Sequence, residues 1–224
     1  GKKVNRFTHI HQSIEDLVNK VKMMRMIAQK TGTCFQRCVG FDAMNATFIT
    51  TYNMDKKYGT NYHERFKKWM TYVQENDLMI AGAMTDVKGN RSLKPSKQAD
   101  PDLFTHVVEK REDGVVICGA KAHMTGMANS HEMLILPTTN LLDGDQDYAI
   151  ACAVPVDAEG ITHIFGRQTN DQRRLQGDLD TGNSEYAIVG GETLTVLDHV
   201  FVPWDRVFMC GETDFAQDYV ARFA

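Results

Sequence analysis

The apolar residues change their period once along the chain, and that change limits the fold more than any other feature. Up to about Asn76 they recur at helical spacing; beyond it they gather in short β-type runs divided by glycine and proline. In the first part, Ser13 followed by Asp16 offers a helix N-cap with an acid three residues on. Ile14, Leu17, Val18, Val21, Met24 and Ile27 then repeat every three or four positions, and Gly32 is placed to end the helix. A second helix is predicted from near Thr33 past Phe48. A third is predicted from about Asn61 to Gln74, with Tyr62, Phe66, Trp69, Met70 and Val73 along one side.

In the second part, Val107-Val108 and Val115-Val116-Ile117 flank the turn signal Glu112-Asp113-Gly114 and predict a hairpin. Met133 to Leu136 stops at Pro137, Tyr148 to Val154 is apolar, and Ile161 to Phe165 partly alternates. Thr193 to Val202 is a further strand-like stretch closed by Pro203, and Asp214 to Ala224 reads as helix again. The order is helices, an antiparallel β domain, then the start of more helix, so an α+β chain is expected. Its divisions are residues 1–78, helical; 79–213, the middle β domain; and 214–224, the beginning of another helical domain.

Bulk properties exclude several classes. No apolar run approaches the ~20 residues that span a bilayer. The opening Gly1-Lys2-Lys3-Val4-Asn5-Arg6 lacks the apolar core of a signal peptide. A net charge of −4 gives no electrostatic reason to bind nucleic acid or an anionic membrane. The five cysteines, Cys34, Cys38, Cys118, Cys152 and Cys210, are too sparse for a disulfide framework, so a reducing cytoplasm is expected. The first residue is not Met and the last falls inside a predicted helix; a piece of a longer or processed protein is expected.

Four constellations have chemical potential. Cys34-Phe35-Gln36-Arg37-Cys38, if helical, puts two thiols one turn apart on one face, and soft sulfur suits iron or zinc. The plainer reading is two small buried hydrophobes. Gly119-Ala120-Lys121-Ala122-His123-Met124-Thr125-Gly126-Met127-Ala128-Asn129-Ser130-His131 is dense in small and polar residues that let a planar ligand approach the backbone; an ordinary turn loop competes with that reading. In Ala83-Met84-Thr85-Asp86-Val87-Lys88-Gly89-Asn90-Arg91, Thr85 and Asn90 can hydrogen-bond and Arg91 can pair with phosphate, or the stretch is an exposed loop. Gly190-Gly191-Glu192 sets an acid before an apolar strand, either in a cleft or capping a turn.

Taken together and in order, these stretches resemble the 4-hydroxybutyryl-CoA dehydratase family. The likeness also includes Lys57-Tyr58-Gly59-Thr60-Asn61-Tyr62-His63, Gln74-Glu75-Asn76-Asp77-Leu78 and Val107-Val108-Glu109-Lys110-Arg111-Glu112-Asp113-Gly114, and it runs from about Asn5 to Ala224. It implies an acyl-CoA-dehydrogenase-like fold whose C-terminal helical bundle this chain lacks. It implies FAD and a [4Fe–4S] cluster with three cysteine ligands and one histidine, of which Cys34 and Cys38 match two cysteines. Met84, Thr85, Asp86, Asn90, Arg91, His123, Met124 and Thr125 match flavin-binding segments; Gln36 and Glu192 match the catalytic cleft. The remaining cluster ligands and the main base fall beyond Ala224.

The implied reaction converts 4-hydroxybutyryl-CoA to crotonyl-CoA, with vinylacetyl-CoA Δ-isomerase activity. The thioester acidifies only C2, so the family removes one electron to flavin, which makes the C3 proton acidic, and the cluster assists loss of the C4 hydroxyl as a Lewis acid. The resemblance also implies a homotetramer. Three rivals are a flavin-dependent aromatic hydroxylase of the 4-hydroxyphenylacetate 3-monooxygenase type, a non-catalytic scaffold subunit, and a zinc-stabilised structural domain.

Overall fold

The structure, a computed structural model, describes residues 3–31, 38–165 and 192–223, with side chains for 3–30, 39–165 and 192–223. Three long helices come first: α1 (Ile14–Thr31), α2 (Cys38–Tyr58) and α3 (Tyr62–Glu75). Ser13 caps α1, its Oγ accepting the Asp16 N–H at 3.1 Å, while the Asp16 carboxylate reaches back to the Gln12 N–H at 3.1 Å. Asp55, near the end of α2, takes the backbone N–H groups of Tyr62 and His63 at 2.9 and 3.0 Å, and so caps α3 from the preceding helix. The predicted face of α3 is correct: Tyr62, Phe66, Trp69 and Val73 are buried and Met70 packs against them.

Among the described residues, eight strands follow in two four-stranded sheets. One sheet runs in the order β1 (Ile80–Ala83), β4 (Glu132–Ile135), β5 (Ile150–Pro155), β8 (Val207–Cys210). The other runs β2 (His106–Lys110), β3 (Gly114–Thr125), β7 (Glu192–Pro203), β6 (Ile161–Phe165). The β2–β3 hairpin lies where the turn signal put it. The last helix, α4, covers Ala216–Phe223.

The first sheet is the middle layer, and its strands are buried along almost their whole length because both faces are covered. Leu134, Ala151, Ala153 and Phe208 face Phe41 and Met44 of α2, Phe66 and Trp69 of α3, and Tyr219 of α4. Their strand neighbours Met133, Ile135, Cys152, Val154 and Val207 turn the other way, onto Val115, Ile117, Val200 and Val202 of the second sheet. Among the described residues, the second sheet has one covered face, and β7 alternates buried and exposed positions over most of its length.

Two expectations need correction, and two further features lay beyond what the sequence predicted. The β region is mixed rather than antiparallel: β1 pairs with β4 in parallel, Ile80 opposite Glu132 and Ala83 opposite Ile135. The chain between those strands leaves to build β2 and β3 before returning, and a long excursion of that kind permits parallel pairing. Strands β1 and β8 are four residues each, too short for a periodic signal to mark them. The Gly119 to His131 stretch is a loop only in its second half, for β3 continues to Thr125. Finally, the apolar stripe of α1 marks a helix but not a core: Ile14 is 83% exposed, and Leu17, Val18 and Val21 are also exposed. Periodicity reports an amphipathic helix, not what covers its apolar side.

Candidate functional site

The end of β3 and the start of β7 form the first rung of the second sheet, with Thr125 opposite Glu192 and Met124 opposite Thr193. The β3–β7 register shifts between Lys121 and Met124, and His123 takes a positive φ of 58° there. A bulge of this kind re-aims side chains that a regular ladder would send to opposite faces. His123 and Thr125 consequently reach the same carboxylate. His123 Nδ1 lies 2.9 Å from Glu192 Oε2, and Thr125 Oγ1 donates to Glu192 Oε1 at 3.0 Å. Both Glu192 oxygens are thereby oriented while the group stays half exposed. A cleft of about 330 Å³ opens beside them, walled by Ala122, Ile164, Phe165, Thr193 and Leu194. Ile164 and Phe165 are 51% and 53% exposed, an apolar wall without cover among the described residues.

The segment leaving β1 is tied to β3 behind this cleft. Thr85 O accepts the Ala122 N–H at 2.7 Å, and Asp86 and Lys121 form an isolated bridge. The Lys121 ammonium is 1% exposed; it lies 2.7 Å from Asp86 Oδ1 and donates to Met84 O at 3.0 Å and Leu136 O at 2.9 Å. Three protons thus meet three acceptors, which is how a buried lysine keeps its charge. Asp86 also accepts the Thr105 N–H at 3.0 Å. Burial alone pushes the Asp86 carboxyl above its usual range, with Lys121 opposing.

The expected site residues therefore divide. His123, Thr125 and Glu192 come together. Thr85 and Asp86 join the same wall through the backbone and the buried ion pair. The Met124 side chain packs between the sheets, and Met84 packs against the helical core. The Asn90 side chain accepts the Ser92 N–H and hydroxyl, shaping a turn that presents Arg91 to a separate cavity. Cys34 and Gln36 lie outside the described residues, and Cys38 heads α2 with its side chain likewise outside them. That first turn of α2 is pressed against β1: a Cβ on Gly40 would stand 1.9 Å from Ile80 O, and one on Gly82 would stand 2.8 Å from Val39 O. The Cys38 end of the helix is thus seated on the strand that delivers Met84, Thr85 and Asp86.

Among the described residues, one group has metal-ligand chemistry, Cys118 with Asp198 and His199. It includes none of the expected ligands, and burial pushes the Cys118 thiol up, away from the thiolate a metal needs. Sequence reading passed over Lys121 as a key residue. The signal was a lone lysine between two alanines in a strand, and only its buried partners give it meaning. Among the described residues, no helix is long and apolar enough to cross a membrane.

Residues 1–209 match the family described as 4-hydroxyphenylacetate 3-hydroxylase N terminal. The chain is 56% identical, over 100% of its own length and 46% of the relative's, to 4-hydroxybutyryl-CoA dehydratase/vinylacetyl-CoA-Δ-isomerase of Clostridium aminobutyricum. It superposes with a TM-score of 0.92 on an oxygen-tolerant archaeal 4-hydroxybutyryl-CoA dehydratase from N. maritimus, at 54% identity, covering 100% of this chain and 44% of that one. The oxygenase component of 4-hydroxyphenylacetate 3-monooxygenase, complexed with FAD, gives 0.74 at 27% identity, covering 99% and 44%. The chain spans about half the length of the curated relatives it matches.

Proposed function

The chain belongs to the 4-hydroxyphenylacetate 3-hydroxylase N-terminal family, and from that premise we propose that it serves a radical 4-hydroxybutyryl-CoA dehydratase with vinylacetyl-CoA Δ-isomerase activity. One observation carries the choice within the family: identity to the dehydratase is 56% over the whole chain, against 27% to the oxygenase component. The aromatic hydroxylase reading is correspondingly weaker. The layout proposed is acyl-CoA-dehydrogenase-like: a helical part over residues 1–78, a flavin-binding β part over 79–213, and the start of a helical bundle at 214–224. A cytoplasmic homotetramer is the proposed assembly.

The donor set fits the groups this reaction needs. A polar edge made by His123, Thr125 and Glu192 beside an apolar wall suits a flat ring with polar atoms on one rim. Thr85, Asp86 and Met84 would back that ring, and Arg91 and Asn90 would lie toward the cofactor's far end. Cys34 and Cys38 would supply two thiolates to a [4Fe–4S] cluster, and the packing of α2 on β1 supports an iron site next to the flavin site. When bound, FAD and the cluster supply one-electron withdrawal and Lewis-acid assistance to loss of the C4 hydroxyl.

This chain's own residues have the remaining tasks. Thr125 fixes Glu192 Oε1, leaving Oε2 to exchange a proton with His123 Nδ1. Gln36 would line the same cleft near the cluster ligands. The buried Asp86–Lys121 pair keeps the strand ends rigid so that these groups hold their geometry. The test is an anaerobic absorbance spectrum of the full-length protein, followed by assay of crotonyl-CoA formation. Flavin bands, a broad iron–sulfur shoulder and crotonyl-CoA are expected. Flavin without iron, together with hydroxylation of a phenol, would favour the oxygenase reading instead.

A further inference from the structure

Cys118, Asp198 and His199 each offer a ligand atom, and those atoms lie within 4.8 Å of one another. They meet at a second bulge, away from the one that shapes the Glu192 cleft. Ile117 pairs with Val200 and Gly119 with Leu197, so Cys118 on β3 faces both Asp198 and His199 on β7. His199 takes a positive φ of 54° there, and its N–H donates to the Cys118 sulfur at 3.2 Å. A regular strand would send adjacent side chains to opposite faces. The bulge instead brings the carboxylate and the imidazole to one thiol, with Asp198 Oδ1 and His199 Nδ1 2.7 Å apart. The thiol is the floor, 5% exposed, and the carboxylate and imidazole are the rim, 78% and 74% exposed.

The backbone around this group is fixed on both sides. Asp198 N–H donates to Gly160 O at 2.9 Å, and a Cβ on Gly160, whose φ is 86°, would stand 2.3 Å from Asp198 O. On the other flank, a Cβ on Gly119 would stand 2.6 Å from Thr105 Cα. Donors held on strands keep their positions better than donors on loops. The charged groups acting on the Cys118 sulfur are Asp102 and Asp198, both acids, and Glu109 lies within electrostatic reach of His199. Such a field repels a thiolate and attracts a cation. Burial first, and then these acids, push the thiol up. A bound divalent cation reverses that balance by displacing the thiol proton to solvent.

We propose that Cys118, Asp198 and His199 bind a zinc ion through one sulfur, one oxygen and one ring nitrogen, with a fourth position open to water. A mixed set of this kind suits a borderline ion, whereas magnesium and calcium take oxygen donors. The ion ties β3 to β7 where the bulge interrupts their hydrogen-bond ladder, so its role is to clamp the sheet. The inference goes beyond the functional reading above and does not rest on it, since the site uses none of Cys34, Cys38, His123 and Glu192.

The test is calorimetric titration of the full-length protein, with its cofactors in place, first with zinc and then with cobalt(II) as a spectroscopic probe. Zinc binding should weaken at least about tenfold in Cys118→Ser and in His199→Asn, a loss that even a change behind a metal ligand brings about. Asn accepts the left-handed backbone at position 199, so that variant keeps the fold while losing the ring nitrogen. Cobalt should give a thiolate charge-transfer band in the wild type that is missing from Cys118→Ser, which separates this sulfur from Cys34 and Cys38. Zinc should also raise the thermal midpoint of the wild type more than that of either variant. Equal zinc affinity in the wild type and Cys118→Ser would overturn the site. So would a loss confined to His199→Asn, which would mark an adventitious ion on a surface imidazole and carboxylate only. A wild-type protein that takes up no zinc would overturn it as well.

Discussion

Lys121 and Asp86 meet at 2.7 Å with their side chains 1% and 4% exposed, and this contact fastens the segment after β1 to the middle of β3. Losing one member leaves the other charge buried without its counterpart. Lys121→Met alone should destabilise the protein by about 3–5 kcal/mol, whereas Lys121→Met with Asp86→Leu should cost much less. Urea denaturation of the three proteins checks this. Equal losses in the single and double variants would mean that shape, not charge, holds the junction.

Glu192 is half exposed and makes its contacts at the rim of the cleft. Its substitution should therefore damage chemistry more than stability. In the full-length enzyme, Glu192→Gln should lower turnover by about 10²-fold or more while unfolding stays within about 0.5 kcal/mol of wild type. Thr125→Val should reduce turnover less, because His123 still holds one carboxylate oxygen. Wild-type kinetics in Glu192→Gln would remove the residue from the site.

Cys34→Ala or Cys38→Ala in the full-length enzyme should abolish dehydration together with iron content, and flavin should be retained. Normal iron and turnover in either variant would exclude that residue as a ligand. A packing variant separates the ligand from its platform. Gly40→Ala places a methyl 1.9 Å from Ile80 O, so α2 must move off β1. That should cost about 1–3 kcal/mol and weaken iron retention without removing a thiol.

The Asp16 carboxyl is held down to about 2, first by its hydrogen bond with His9, then by the Gln12 N–H. A depressed folded-state value means the stabilisation is present above the ordinary carboxylate range and is lost as pH falls from about 3.8 toward about 2. Far-ultraviolet circular dichroism should record loss of helix in this window, and Asp16→Asn should lack that step. An acid titration unchanged by Asp16→Asn would show that α1 is held by other contacts.

The order of elements was legible because helix and strand leave different periods in a sequence. The helical spacing of Tyr62, Phe66, Trp69, Met70 and Val73, the Glu112-Asp113-Gly114 turn and the Ser13 cap each depend on local geometry, and each appears as expected. Strands β1 and β8 were not legible, since four buried residues such as Ile80 to Ala83 carry no alternation to read. The grouping of His123, Thr125 and Glu192 was half legible. All three stood out as polar residues beside small ones, but their meeting depends on a bulge in β3 and on pairing across 67 and 69 sequence positions.

The sequence by itself determined the succession of helices and strands and the residue types available for chemistry, because both are local properties of a chain. Tertiary structure alone decided that β1 runs parallel to β4, that Lys121 spends its charge inside the protein, and that Cys118 meets Asp198 and His199 across a bulge. Those outcomes depend on segments far apart in sequence sharing one buried space, where satisfying each charge and backbone group selects the arrangement.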